Sequence, residues 1–210
     1  MDTWSYVQTT ARTGGELVYA MSQSQTDVLN DDMPGPWGAA APAGFCAGLA
    51  LRWIGLRRAG ADYPFDPATG VAQGTFWQAT RDQNIMVDTR VTGSNPADVF
   101  LPRAEAVLKG YGVVVNRGRY WTSTTGVSAA MLERAVFAGD GLYFVEMRRK
   151  GGGHALGLQR AGNEYRLFDS NQGEFVLKGL DAFRRFASWF LKDTGYQGRY
   201  TTGTWIVGMR

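Results

Sequence analysis

The segment GGGHALGLQRAGNEYRLFDSNQG, residues 151–173, predicts two antiparallel strands joined by a tight turn. Apolar residues alternate with other types after His154 and again before Asp169, which is the period of a half-buried strand. The stretch Arg160–Asn163 between the two runs has the residue types of a short hairpin loop. The predicted strands are His154–Gln159 and Glu164–Asp169.

The position of the loop decides which side chains face each other across this hairpin. If Ala161 and Gly162 form the loop, His154 lies directly opposite Asp169. If the loop lies one residue later, His154 faces Asn171, and Asp169 lies diagonally on the same face. Both alternatives place an acid or an amide beside the imidazole, as the orientation of a catalytic base requires.

A second segment, FCAGLALRWIGLRR at residues 45–58, predicts an amphipathic helix that begins near the only cysteine. Its apolar residues recur at helical spacing, and the preceding residues 31–44 are rich in Pro and Gly, which predicts a loop. The start of a helix favours a thiolate, so Cys46 is a candidate nucleophile. The alternative is a buried cysteine that only fills space in the core.

Composition narrows the classes of function. The 210 residues carry a net charge of +3, with one cysteine and one histidine. One cysteine excludes an internal disulfide and a Cys-based zinc site, and we expect neither a metal nor an organic cofactor. The mild charge predicts no nucleic-acid partner and leaves membrane association open. No signal-peptide pattern and no apolar stretch long enough to cross a bilayer is recognised in the sequence.

The order of the predicted elements indicates an α+β fold. We expect a single domain over residues 1–210, with a mainly helical lobe (1–110) and a mainly antiparallel sheet lobe (111–210). The further predicted helices are Glu16–Leu29, Ala72–Asp82, one from Asn95-Pro96 that Pro102 interrupts or restarts, one from the Ser128 cap to about Ala138, and Leu180–Lys192. The further predicted strands are Gly112–Asn116, Arg119–Ser123, Leu142–Arg148, Glu174–Leu177 and Thr202–Gly208. Glu174 is interpreted as a charge at a strand edge.

A thiol on a helix, then an imidazole on a strand, then a carboxylate on the partner strand is the chain order of papain-like hydrolases. In these enzymes a helical lobe and a sheet lobe meet across a cleft. Cys46, His154 and Asp169 are therefore the candidate catalytic residues, as nucleophile, base and orienting acid. Asn171 is a substitute for Asp169 in the orienting role.

Three segments resemble the YopT/AvrPphB family of bacterial effector cysteine proteases. They are Gly44–Ile54, His154–Leu158 and Leu167–Phe175. In that family they carry the catalytic Cys, His and Asp, which correspond here to Cys46, His154 and Asp169. The resemblance implies a papain-like cysteine peptidase that cleaves a specific protein or peptide, such as a host protein. It also implies delivery by a signal-peptide-independent bacterial secretion system and action in the target cell; without such export the location would be cytoplasmic. A cognate inhibitor or immunity protein is a further partner that is compatible with this function.

The chain departs from papain-like enzymes in one respect. These enzymes often use a Gln or Asn shortly before the nucleophile to stabilise the oxyanion, but Asp31–Phe45 contains neither. The alternatives for a second donor, beside the backbone N–H of Cys46, are a loop amide, Trp37, Gln73 or Gln78.

Two other functions stay open at this point. One is a thiol amidase or deamidase toxin, acting on cell-wall peptides or on protein glutamine. The other is a catalytically inactive binding module, which the missing side-chain donor favours.

Overall fold

The computed structural model describes residues 9–21, 46–62, 76–88 and 96–210. In these residues one seven-stranded sheet has the order β1-β6-β5-β4-β3-β7-β2, and every neighbouring pair is antiparallel. The strands are β1 (Gly15–Ala20), β2 (Val115–Ser123), β3 (Gly141–Arg149), β4 (Gly152–Ala161), β5 (Glu164–Asp169), β6 (Gly173–Lys178) and β7 (Gly203–Met209). The helices are α1 (Cys46–Arg58), α2 (Phe76–Asp88), α3 (Pro96–Leu108), α4 (Ala129–Phe137), α5 (Leu180–Asp193) and α6 (Tyr196–Arg199), with a 3₁₀ turn at Lys109–Tyr111.

The strands alternate in the side chains that they send to two hydrophobic cores. On β3, Phe144 belongs to the core shared with α1, α2 and α3, whereas Tyr143 and Val145 belong to the core shared with α4 and α5. This alternation follows from the two-residue period of a strand. The predicted α+β class is confirmed, with helices covering both faces of the sheet.

Helix α1 lies close against the centre of the sheet. The indole of Trp53 stacks on Phe168, with ring centroids 5.7 Å apart and planes 12° from parallel. Gly157 on β4 makes room for this ring, because a Cβ there would lie 2.5 Å from Trp53 Cε3. The packing of Trp53 against Gly157 and Phe168 therefore fixes the distance between α1 and strands β4 and β5.

One predicted helix is wrong. The sequence predicted a helix over Glu16–Leu29, but Gly15–Ala20 is strand β1, which pairs with β6 at the sheet edge. Residues 22–29 lie outside the described residues. The segment is extended because its backbone groups pair with β6, a tertiary contact that outweighs local preference.

Several elements begin or end at other residues than the sequence predicted. The two runs predicted on either side of Gly118 are one strand, β2, with a register shift between Asn116 and Tyr120. Pro102 lies inside α3, which continues through it. Helix α2 ends at Asp88, six residues later than predicted. The Ser128 cap is confirmed, because its Oγ accepts a hydrogen bond from the backbone N of Met131 at 3.2 Å.

Among the described helices none has the length and apolar character needed to span a bilayer. The division into two lobes at about residue 110 stays a prediction.

Candidate active site

The β4–β5 hairpin uses the later of the two predicted loops. Ala161 pairs with Glu164, which leaves Gly162 and Asn163 as the two-residue loop. Asp169 then pairs with Leu156, so His154 and Asp169 are diagonal neighbours on one face of the sheet. Gly162 has φ +59°, a left-handed conformation that suits glycine in such a loop.

The diagonal brings the imidazole and the carboxylate into contact. The distance from His154 Nε2 to Asp169 Oδ1 is 3.0 Å, and both side chains are buried. The same Oδ1 accepts the backbone N–H of Asn171 at 2.7 Å. The carboxylate is therefore oriented by the turn that follows β5, and it in turn orients the imidazole.

Asn171 lies in the turn after β5 and not on a strand opposite His154. The chain turns after Asp169, and the Asn171 side chain donates from Nδ2 to Tyr196 Oη at 3.1 Å. Its contact with Asp169 is made by the backbone N–H. Asp169 therefore occupies the position beside His154 Nε2, and the Asn171 side chain binds the hydroxyl of Tyr196.

Cys46 is the first residue of α1 and lies beside the same imidazole. Its thiol lines the same cavity as His154 and is near enough to raise the pKa of the imidazole, and the residue retains 9 % of its accessible surface. Because Nε2 faces Asp169, Nδ1 is the ring nitrogen left for the sulfur. The three candidate residues, far apart in sequence, are therefore brought together around one imidazole.

The protonated form of His154 is favoured in this setting. Burial opposes the charge, but the carboxylate of Asp169 and then the contact with Cys46 outweigh it, so the pKa of His154 is raised well above 6.5. Such an imidazole is suited to taking and keeping a proton from the thiol.

Two tyrosines enclose the imidazole. The Tyr196 ring centroid lies 4.9 Å from that of His154, and the Tyr200 centroid lies 6.0 Å away at an interplanar angle of 22°. Burial raises the pKa of Tyr196, and the nearby charge of Asp169 adds to this, so its hydroxyl stays neutral. The two rings exclude solvent from the His154–Asp169 pair and limit rotation of the imidazole.

A cavity of about 150 Å³ opens beside Cys46 and His154. Its apolar wall comes from α2 and α3, and its charged wall comes from α3 and β3. The described lining residues beyond the two candidates include Gln83, Met86, Phe100, Arg103, Glu146 and Arg148. The cavity gives the otherwise buried thiol and imidazole an opening toward solvent.

Sequence reasoning missed the lining residues of this cavity. Gln83 and Met86 are three apart on α2, and Glu146 and Arg148 are two apart on β3, so each pair shares a face of its element. That periodicity was visible in the sequence. What the sequence did not show is that these two faces meet at Cys46.

Glu174 is not the strand-edge charge that the sequence predicted. It is fully buried and accepts hydrogen bonds from Trp53 Nε1 at 3.0 Å, from Arg57 at 2.6 Å and from Arg166 at 2.7 Å. The interpretation failed because two of its partners come from α1. Glu174 thereby ties helix α1 to strands β5 and β6.

The predicted oxyanion donors lie beyond what the structure describes. Trp37, Gln73 and the loop at 31–44 fall outside the described residues, and so does the side chain of Gln78. Within the described ranges no group of three or more His, Cys, Asp or Glu side chains could hold a metal ion.

A family model described as "Yersinia/Haemophilus virulence surface antigen", of the peptidase C58 family, matches residues 8–206. This match spans both candidate strands, the candidate helix and nearly the whole chain. A search of the curated proteins found no significant match.

Solved structures with a similar fold come from bacterial avirulence and toxin proteins. The Pseudomonas avirulence protein AvrPphB superposes with a TM-score of 0.63 at 18% identity, covering 92% of this chain and 96% of its own. The YopT domain of the Pasteurella multocida PfhB2 toxin gives 0.38 at 18% identity, covering 90% and 92%. PatoxP, a cysteine protease-like domain of the Photorhabdus asymbiotica toxin PaTox, gives 0.48 at 12% identity, covering 99% of this chain and 57% of its own. The first of these likenesses confirms the predicted papain-like fold.

Proposed function

Because this chain belongs to the peptidase C58 family and is a cysteine peptidase, we propose that Cys46, His154 and Asp169 are the triad with which it cleaves a protein. The observation that carries this proposal is that the Cys46 thiol and His154 border one cavity while Asp169 Oδ1 lies 3.0 Å from His154 Nε2. The chain has no other cysteine or histidine that could take these roles.

The chemistry follows from these positions. Cys46 Sγ passes its proton to His154 Nδ1 and attacks the scissile carbonyl carbon, which forms the C–S bond and an oxyanion. When the oxyanion collapses, the C–N bond breaks and His154 gives the proton to the leaving amine. Water then attacks the thioester, His154 takes its proton, and the C–S bond breaks to release the acid and the thiol.

Asp169 has an orienting role in this proposal. Its carboxylate keeps Nε2 engaged, so that Nδ1 points to the sulfur, and its charge stabilises the imidazolium that forms in each step. The enclosing rings of Tyr196 and Tyr200 strengthen this interaction because they exclude water.

The substrate is a protein, and we propose that it is a host protein reached through delivery of this chain into the target cell. The support is the virulence description of the family, together with a cavity that brings apolar and charged walls to the nucleophile. Such walls suit a side chain of an extended peptide.

Expression in eukaryotic cells tests the proposed function. New protein N-termini are compared by mass spectrometry between cells that express the wild-type chain and cells that express Cys46→Ala. We expect one or a few new N-termini with the wild type, and none with the variant. Equal sets of new N-termini from both would contradict the proposal.

Assays in eukaryotic cells and in bacteria together separate the other candidate functions. A glutamine deamidase would convert a glutamine to glutamate with no new N-terminus. A cell-wall amidase would kill bacteria from the periplasm and leave eukaryotic proteins intact. A binding module would give the same result for wild type and Cys46→Ala in every assay.

A further inference from the structure

The cavity beside Cys46 contains a neutral amide that the sequence reasoning did not single out. Gln83 lies on α2 and lines the same cavity as Cys46 and His154. The segment Asp31–Phe45 supplies no Gln or Asn to stabilise an oxyanion, so a side-chain amide from another element has a role to fill.

Gln83 is held in place by the first turn of the nucleophile helix. The backbone N–H of Gly48, which has no partner within the helix at that position, donates to Gln83 Oε1 at 3.0 Å. Because this bond uses the amide oxygen, the NH₂ group is the part of the side chain that can donate to another acceptor. The amide is therefore oriented by the helix that carries the nucleophile.

The approach of the two helices depends on Gly48. A Cβ at this position would lie 1.9 Å from the carbonyl oxygen of Ala79 and 3.0 Å from the backbone N of Gln83. The absence of a side chain lets α2 come against the first turn of α1. This close contact is what brings a residue 37 positions further along the chain to the nucleophile.

The carboxylate of Glu146 in the cavity lies close to positive charge. Arg148 Nε lies 2.7 Å from Glu146 Oε1, and Arg103 adds a second positive charge near the same carboxylate. Gln83 is the neutral amide donor among the described lining residues.

We propose that Gln83 Nε2 donates a hydrogen bond to the oxyanion formed when Cys46 attacks a carbonyl, beside the backbone N–H of Cys46. This inference rests on the proposed function of Cys46. When the C–S bond forms, the π electron pair of the carbonyl moves to oxygen, and Gln83 stabilises that charge without transferring a proton. The donor is oriented before the reaction, so little reorganisation is needed as the charge develops.

Two reagents that react with the same thiol test this role without a known substrate. p-Nitrophenyl acetate acylates Cys46 through an oxyanion, whereas iodoacetamide alkylates it by displacement, with no oxyanion. For Gln83→Glu, which keeps an oxygen acceptor for Gly48 N–H, we expect acylation to slow by about 10²–10³-fold. Alkylation should stay within about threefold, because it does not use the donor.

Two further variants separate the donor from other effects. Gln83→Met removes the donor without adding charge and should also slow acylation selectively. Asn84→Asp places a new carboxylate on the same helix, one residue away and off the cavity lining, and should leave both rates near those of the wild type.

The outcomes distinguish this inference from the proposed function. A wild-type Cys46 that neither reagent modifies faster than a free thiol would contradict the triad itself. A reactive wild type with equal slowing of both reactions in the Gln83 variants, or with no slowing, would overturn the donor role alone.

Discussion

At the level of single residues, Oδ1 of Asp169 links the imidazole to the backbone. It lies 3.0 Å from His154 Nε2 and 2.7 Å from the backbone N of Asn171. Asn171 contributes its backbone to this carboxylate and its side chain to Tyr196. The two residues that the sequence offered as orienters therefore differ in what they touch.

Asp169→Asn should slow acylation of Cys46 by p-nitrophenyl acetate by roughly 10²–10⁴-fold. The amide removes the charge that stabilises the imidazolium, and its NH₂ group does not favour the same ring tautomer. The matched control is Asn171→Ala, which keeps the backbone N–H to Oδ1. Its rate of acylation should fall far less than that of Asp169→Asn. A larger loss in Asn171→Ala than in Asp169→Asn would show that the wrong residue has been assigned.

At the level of elements, helix α1 is attached to the sheet by a buried carboxylate. The carboxylate of Glu174 on β6 accepts hydrogen bonds from Arg57 and the indole N–H of Trp53 on α1, and from Arg166 on β5. A buried charge with several hydrogen-bonded partners becomes costly when one member is removed, because the others remain buried and unpaired. The position of Cys46 over the sheet thus depends on Glu174, the second residue of β6.

Glu174→Ala should lower the free energy of unfolding by about 3–5 kcal/mol, measured by urea titration. Glu164→Ala is the matched control, because Glu164 pairs with the same Arg166 but is 38% exposed. Its loss should be about 1 kcal/mol or less. Equal losses in both variants would mean that burial of Glu174 adds nothing to the attachment of α1.

Gly48→Ala tests the close contact between α1 and α2. The added methyl group meets the backbone of Ala79 and not the end of a flexible side chain, so a helix has to move. We expect a loss of about 1–3 kcal/mol in the free energy of unfolding, together with slower acylation of Cys46. Gly198→Ala, where a Cβ meets no atom within 4 Å, should be neutral or slightly stabilising. A Gly48→Ala protein as stable and reactive as the wild type would contradict the packing described here.

At the level of the whole molecule, His154 makes the stability of the fold depend on pH near and above neutrality. The chain has a single histidine, so it is the side chain whose ordinary pKa lies nearest to neutrality. The pKa of His154 is raised in the folded state, against the effect of burial, by Asp169 and Cys46. The folded protein therefore holds this proton more tightly than the unfolded chain does.

The stabilisation from His154 should be complete below about pH 6.5 and should be lost as pH rises through the raised pKa. In that window we expect the free energy of unfolding to fall by up to about 1.4 kcal/mol per pH unit. Urea titrations at a series of pH values measure this slope. In His154→Gln the slope should flatten, and a variant that keeps the full wild-type slope would show that another group is responsible.

The sequence by itself determined the local elements and the candidate chemistry. Alternation around His154 and Asp169 predicted the hairpin, and its two possible loops already placed an acid or an amide beside the imidazole. Helical spacing predicted α1 with Cys46 at its start. These features depend on neighbours within a few residues, so local patterns are enough to indicate them.

Tertiary structure alone decided what depends on distant partners. Segment 15–20 is a strand because β6 supplies its hydrogen bonds, and Glu174 is buried because Arg57, 117 positions away, crosses to meet it. Gln83 lines the cavity beside Cys46 because Gly48 lets two helices touch. Burial and pairing are properties of the assembled layers, and a one-dimensional pattern carries no information on which faces will meet.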